Sequence, residues 1–202
     1  GEEFSYNKAI GKTTPENGYQ QAGAYVAGEV VQEYGGGVCN ISTILYRAAM
    51  RANLKSSLRY NHSMMVSYAE PSLDATVYEG EIDYRFVNTY DFPIYIEGYM
   101  TSNTIVFNIY GNKESFGNNT YELVNEVIEK LDYTTEYVND NTLAEGSRVT
   151  TVNGMAGYRS KAYLVTYSNG VEVSREFISS DYYAPMNTVV KVGTKKATTT
   201  EN

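Results

Sequence analysis

At 202 residues and 22.6 kDa, with 16 Lys and Arg against 24 Asp and Glu, the chain carries a formal charge of −8. That length buries a core in one or two domains, and 42% apolar with 20% charged residues is the make-up of a globular chain, while so acidic a balance excludes the basic face of a nucleic-acid binder. One cysteine excludes an internal disulfide and a thiolate-rich zinc site, and one histidine gives no histidine-based metal centre to expect. No run approaches the roughly 18 apolar residues of a membrane span, so no membrane contact is expected of this portion. No signal peptide opens the sequence, and the abrupt start Gly1-Glu2-Glu3-Phe4 reads as a portion of something longer.

In chain order, Tyr19–Ala27 reads as a short helix, weakened by its internal glycine. Gly35-Gly36-Gly37 then precede the main helix, expected over Val38–Asn53. Ile41, Ile44, Leu45, Ala48, Ala49 and Ala52 recur there at three- and four-residue spacing and define one buried stripe. Cys39 falls on another face, with Ser42, Thr43 and Tyr46, so it stands in the first turn without pointing into that stripe. Strands are expected at Met64–Tyr68, Ala75–Tyr78, Asp83–Asn88, Ile94–Tyr99 and Thr104–Tyr110, the last two joined by a turn at Met100-Thr101-Ser102-Asn103. Gly117-Asn118-Asn119 marks a boundary near residues 113–121. Beyond it Glu122–Val138 reads as one long or broken strand, followed by Arg148–Val152, Tyr158–Tyr167, Val171–Ile178 and Thr188–Val192, with Asn169-Gly170 as a tight hairpin signal. The expected fold class is α+β. It comprises a mixed N-terminal domain (1–112), with one main helix after the glycine loop and an antiparallel sheet, then a small elongated all-β domain (121–197) and a tail at 198–202.

The chemistry gathers around Cys39 and His62. Three glycines before a helix leave backbone N–H groups exposed, and a cysteine in the first turn feels the positive end of the helix dipole, which favours thiolate. The same amides, from Gly36, Gly37 and Val38 to Cys39, are candidates for an oxyanion hole. His62 is the one imidazole available as a base. The chemistry such a pair supports is acyl transfer through a thioester. From the residues alone a second reading stands beside it, in which Cys39 is a small buried side chain and His62 a structural one. Ser5-Tyr6-Asn7-Lys8 fits Ser-x-x-Lys by chance, without a downstream Lys-Thr-Gly. Gly11-Lys12-Thr13 lacks the preceding glycine of a phosphate loop, so no cofactor is expected. Glu79, Glu81 and Asp83 read as carboxylates on solvated strand ends.

Tyr34-Gly35-Gly36-Gly37-Val38-Cys39-Asn40-Ile41-Ser42-Thr43 resembles the VanW domain, a family common in Gram-positive surface proteins. The resemblance continues through Gly1-Glu2-Glu3-Phe4-Ser5-Tyr6-Asn7, Arg59-Tyr60-Asn61-His62-Ser63, Leu73-Asp74-Ala75-Thr76-Val77, Phe86-Val87-Asn88 and Ile109-Tyr110-Gly111, with Asn40 standing where the family usually carries glutamine. From Tyr121 to Lys196 the chain resembles the wall-associated β domain named for its five glycines, here Gly146, Gly154, Gly157, Gly170 and Gly193.

The first resemblance implies peptidoglycan L,D-transpeptidation at the cell surface, joining the third residues of two stem peptides through a cysteine acyl-enzyme. Cys39 then matches the nucleophile and His62 the general base. Asp74 is the expected orienter of His62, with Ser63 as the other candidate, and Arg59 the expected partner of a stem carboxylate. The order of Cys and His is the reverse of that in YkuD-type enzymes, so a shared activity implies convergence. A cysteine amidase or endopeptidase of the same stems, or a non-catalytic wall-binding module, are the competing readings. No nucleic acid, cofactor or metal is implied.

Overall fold

The computed structural model describes residues 1–26, 29–115 and 117–196. Strand β1 (Glu3–Ser5) runs into helix α1 (Tyr6–Ile10), which Ser5 caps: its Oγ accepts from the Lys8 amide and donates to Asp83 Oδ2 at 2.6 Å. Asp83 Oδ1 accepts from the Asn7 amide, so this carboxylate, expected on a solvated end, is buried as a helix-capping group. A 3₁₀ turn at Pro15–Asn17 ends on Gly18 in the left-handed region. The chain then extends into β2 (Gln21–Val26), paired antiparallel with β3 (Glu29–Tyr34). The helix expected over Tyr19–Ala27 is therefore a strand, and its last residue lies outside the described residues.

Helix α2 (Val38–Arg51) follows the three glycines. Its most buried residues are Ser42, Thr43, Leu45, Tyr46, Ala49 and Met50, whereas Ile41, Ile44, Ala48 and Ala52 are half-buried. The face shared with Cys39 is thus the deeper one. Ser42 Oγ donates to the Ala75 carbonyl at 2.6 Å, and Thr43 Oγ1 accepts from the Ala75 amide at 3.1 Å. Hydroxyls dock the helix onto the Leu73–Val77 segment, and periodicity of apolar residues cannot register such packing. The strand expected at Ala75–Tyr78 is reduced to two isolated bridges, Tyr60–Thr76 and Tyr78–Ile82, and Met64–Tyr68 forms no strand.

β4 (Lys55–Leu58) and β1 flank β5 (Arg85–Val87) in a small antiparallel sheet, with Phe4 stacked on Phe86 at 4.9 Å. β6 (Tyr95–Met100) and β7 (Ile105–Tyr110) form a hairpin closed by the Thr101 amide donating to the Thr104 carbonyl. A 3₁₀ turn at Lys113–Ser115 leads to the long strand β8 (Asn119–Leu131), then β9 (Thr135–Ala144), β10 (Arg148–Val152), β11 (Gly157–Ser168), β12 (Val171–Tyr183) and β13 (Thr188–Lys195). They form two three-stranded sheets, β12-β11-β8 and β10-β13-β9, and β9–β13 is a parallel pair. Asn169 and Gly170, both at positive φ, turn β11 into β12.

The α+β expectation gives way to a mainly β chain. Among the described residues there are two α-helices, of five and fourteen residues, against thirteen strands. The reason is the weight of strand: β8–β13 fill the second domain, and β2 adds half of a ribbon in place of a helix, so α1 and α2 are a small share of the whole. The tail at 198–202 lies outside the described residues.

One hydrophobic core serves both parts of the chain. Leu123, Ala162 and Leu164 of β8 and β11 are buried in the same cluster as Leu45, Tyr46 and Ala49 of α2 and Leu73, Tyr84 and Phe86 around it.

Candidate functional site

The backbone before α2 is bent by turns that only glycine accepts. A Cβ on Gly36 would lie 2.4 Å from the Ala22 carbonyl oxygen, so β2 approaches too closely for any side chain there. Gly37 caps α2 with φ +93°, in the left-handed region. Of the amides expected to form an oxyanion hole, Gly36 donates to the Glu33 carbonyl and Val38 to the Gly35 carbonyl. Among the described residues the Gly37 and Cys39 amides are left without an acceptor, on either side of the spent Val38.

Cys39 stands half-buried in the first turn. Its Sγ donates to the Val77 carbonyl at 3.2 Å and lies 3.6 Å from Thr76 Oγ1. Thr76 is bridged to Tyr60, its amide donating to the Tyr60 carbonyl at 2.9 Å, which brings His62 beside the thiol.

Asp74 fixes the imidazole. Its Oδ2 accepts from His62 Nδ1 at 2.6 Å and from the His62 amide at 2.8 Å, locking the ring by both side chain and backbone. Its Oδ1 accepts from Arg59 Nη2 at 3.0 Å and from the Tyr183 hydroxyl. The side chain of Asp74 is 1% exposed, yet every lone pair aimed at protein has a donor. The far nitrogen, His62 Nε2, is 3.1 Å from the Tyr68 hydroxyl.

These contacts set the protonation states. Burial pushes the Cys39 thiol up, but hydrogen bonding to His62 and to Thr76, with the imidazole's charge, brings it below the ordinary thiol value. Burial pulls His62 down, and the hydrogen bonds to Asp74 and Cys39 overcome this, raising it to about 9. For Asp74 burial again opposes, while the His62 hydrogen bond and the Arg59 charge hold the carboxyl below its usual range. The thiol is thus shifted down and the imidazole up, each toward the charged form that pairs with the other.

Of the other expected site residues, Arg59 faces inward. Its side chain is 6% exposed, its Nε donates to the Asp74 carbonyl and its Nη1 to both oxygens of Asp181, at 2.8 and 2.7 Å. It lies over the Tyr46 ring, 5.4 Å from the centroid, and is not placed to reach a stem carboxylate. Ser63 is exposed, and its carbonyl, accepting from the Ala184 amide at 2.8 Å, ties the loop to the residue that follows β12. Sequence reasoning missed Tyr68, Thr76, Asp181 and Tyr183. Thr76 stands in a block quoted for the family resemblance, so a signal existed for it. Asp181 and Tyr183 are more than a hundred residues from the partners they meet and carry no local signal. Ser5 of the chance Ser-x-x-Lys is spent on Asp83, and Thr13 of Gly11-Lys12-Thr13 gives both its amide and hydroxyl to Glu79 Oε2 at 2.9 Å.

Beside His62 a groove of about 750 Å³ opens between the two parts of the chain, walled by Met64, Met65 and Ile82 on one side and Met155, Pro185 and Met186 on the other. Among the described residues no group of three or more His, Cys, Asp or Glu is placed to hold a metal ion, and no helix is long and apolar enough to cross a membrane.

Residues 1–110 match the family described as VanW like protein, which covers more than half of the chain. The chain belongs to the VanW-like family. Residues 122–195 match the G5 domain, the five-glycine domain of the sequence reading. The VanW-like part is 38% identical over 111 residues to an uncharacterized protein of Bacillus subtilis (strain 168), YoaR. The match takes in 55% of this chain and 37% of that protein, so the chain spans little more than a third of this relative's length. Two solved G5 domains are similar to the C-terminal part. The IgA1 protease G5 domain is 31% identical, with 41% of this chain and 99% of that one covered and a TM-score of 0.27. The HP0197 G5 domain is 20% identical, with 37% and 95% covered and a TM-score of 0.22.

Proposed function

We propose that the VanW-like domain is a cysteine acyltransferase acting on peptidoglycan stem peptides, an L,D-transpeptidase at the cell surface, with the G5 domain as the part that engages the wall. The observation that carries this reading is the His62 imidazole, held by Asp74 at 2.6 Å and set beside a first-turn cysteine. Cys39 Sγ attacks the carbonyl carbon of the third stem residue. The negative charge that develops on the carbonyl oxygen is met by the free Gly37 and Cys39 amides. The bond to the terminal D-alanine breaks, and the departing amine takes the proton of the His62 imidazolium. An acceptor side-chain amine then adds to the thioester, His62 takes its proton, and the thiolate leaves to restore the pair. Asp74 keeps the imidazole in one tautomer throughout, and the groove beside His62 has room for a stem.

Incubation with a tetrapeptide stem or a carbapenem, followed by mass spectrometry, is expected to give an acyl adduct on Cys39. With muropeptides the expected products are dimers. Shortened monomers alone would replace transfer by hydrolysis, and no adduct at all would overturn the acyl-enzyme. Cys39→Ala and His62→Ala are each expected to lower turnover by about a thousandfold or more, Cys39→Ala with thermal unfolding nearly unchanged and His62→Ala with the fold kept at a lower midpoint, because buried Asp74 loses its imidazolium.

A further inference from the structure

Four groups that carry or share charge meet at the seam between the two domains. Arg59 lies between two carboxylates, Asp74 from its own domain and Asp181 from β12, at 3.0 and 2.7 Å. The side chain of Asp181 is 7% exposed and is also held by the Ser179 hydroxyl at 2.9 Å. Tyr183, buried two residues further along β12, accepts from the Ser72 amide at 2.7 Å and donates its hydroxyl to Asp74 Oδ1. The end of β12 is kept in place by the rest of the chain. Ser160 and Asp181 are register partners, and the Asn61 side-chain amide donates to the Tyr182 carbonyl at 2.8 Å.

Charge counting gives this arrangement a purpose. With Arg59 and Asp74 alone the buried pair is neutral, and an imidazolium at His62 would be a buried cation without a counterion whenever Cys39 is uncharged, as a thiol or as an acylated thioester. A second carboxylate on Arg59 restores the balance. We propose that the second domain completes the site, Asp181 taking up the charge of Arg59 so that Asp74 keeps its own for the His62 imidazolium, and Tyr183 fixing the Asp74 carboxylate in line with the ring. Both are positioning residues, acting through Arg59 and Asp74 on His62, and the inference rests on the acyl-transfer reading above. The other titratable groups facing the cluster are Tyr46 from α2, Tyr84 just before β5, Tyr68 from the loop after His62, and Cys39 itself, and burial keeps the three tyrosines protonated.

His62 is the sole imidazole, so its titration in the full chain can be followed by NMR without ambiguity. Asp181→Asn is expected to lower the His62 midpoint by about one unit, because Arg59 then draws on Asp74 alone. Asp181→Glu, which keeps the charge, is expected to hold it. Tyr183→Phe removes a neutral donor from Asp74, leaves the carboxylate a stronger acceptor for the ring, and is expected to hold or raise the midpoint. Cys39 alkylation followed against pH is expected to start later in Asp181→Asn and unshifted in Asp181→Glu. Asp181→Ser replaces the Asn variant should that one not fold. An unmoved midpoint on loss of the Asp181 charge would overturn the proposal. So would a fall in both the Asp181→Asn and Tyr183→Phe chains toward the ordinary histidine value of about 6.5, which is the mark of a loosened fold. A wild-type chain whose Cys39 forms no adduct would sink the acyl-transfer reading, and the His62 titration would still decide the charge-balance claim.

Discussion

The imidazole of His62 is the group through which pH acts most directly on this protein. Its value is raised in the folded chain to about 9, from an ordinary 6.5. Its contribution to stability is therefore complete below about pH 6.5 and lost as pH rises through about 9. Asp74 works in the opposite sense: its lowered value gives stability that is present at neutral pH and lost in acid, as pH falls through the folded value. Cys39, lowered in the folded chain, gains stability as pH rises and offsets the loss at His62, so the His62 contribution is isolated in a Cys39→Ala chain. Thermal unfolding of that chain from pH 6 to 10 is expected to show a falling midpoint, and adding His62→Gln to flatten that fall. Asp74→Asn is expected to reduce turnover by about a hundred- to ten-thousandfold, since the ring loses its orienting acceptor; a variant with near-normal turnover would remove Asp74 from the mechanism. Cys39 and His62 stood out in the sequence because each occurs once, and Asp74 because it lay a short way downstream in a recognisable block. Arg59 was visible as well, but only its three-dimensional partners show that it faces Asp181 and not solvent.

Helix α2 is placed by hydroxyls as much as by apolar packing. Ser42 is fully buried and donates to the Ala75 carbonyl, on the segment that also carries Asp74 and Thr76. Ser42→Ala leaves that carbonyl with the longer Thr43 bond at 3.3 Å, and a loss of about 1–2 kcal/mol is expected in denaturant unfolding. The glycines before the helix are expected to separate by mechanism. Gly37→Ala meets open space and costs only the strain of its positive φ, about 1–2 kcal/mol, whereas Gly36→Ala drives a methyl into the Ala22 backbone and is expected to cost more. Equal losses in the two variants would contradict that reading. The sequence made α2 legible, because its alanines and three- and four-residue spacing act locally. It misled at Tyr19–Ala27, where pairing with β3 outweighs local propensity. It misled again at Met64–Tyr68, whose apolar run lines a groove and does not pair. The hairpin strands β6, β7, β11 and β12 were readable because alternation and turn residues agree there.

At the scale of the whole molecule, the VanW-like and G5 parts share one core and one network of buried charge. Leu164→Ala, far from α2 in sequence but in the same cluster, is expected to cost about 2–5 kcal/mol and to lower the stability of both parts together. Calorimetry is expected to show a single cooperative transition, and two separable transitions would break the shared-core description. None of this coupling could be read from composition or periodicity, which treat each segment alone. The groove at the seam has a further chemical consequence. Four methionines, Met64, Met65, Met155 and Met186, line it beside His62, and the chain has no second cysteine with which Cys39 could form a protective disulfide. Peroxide therefore has two kinds of sulfur to attack in one small region: the thiolate, which passes through a sulfenic acid that reductants reverse to acids that they do not, and the thioethers, whose sulfoxides turn an apolar wall polar. Brief exposure followed by thiol reductant is expected to restore Cys39 alkylation, while longer exposure leaves a chain that is permanently inert and whose groove has become wettable.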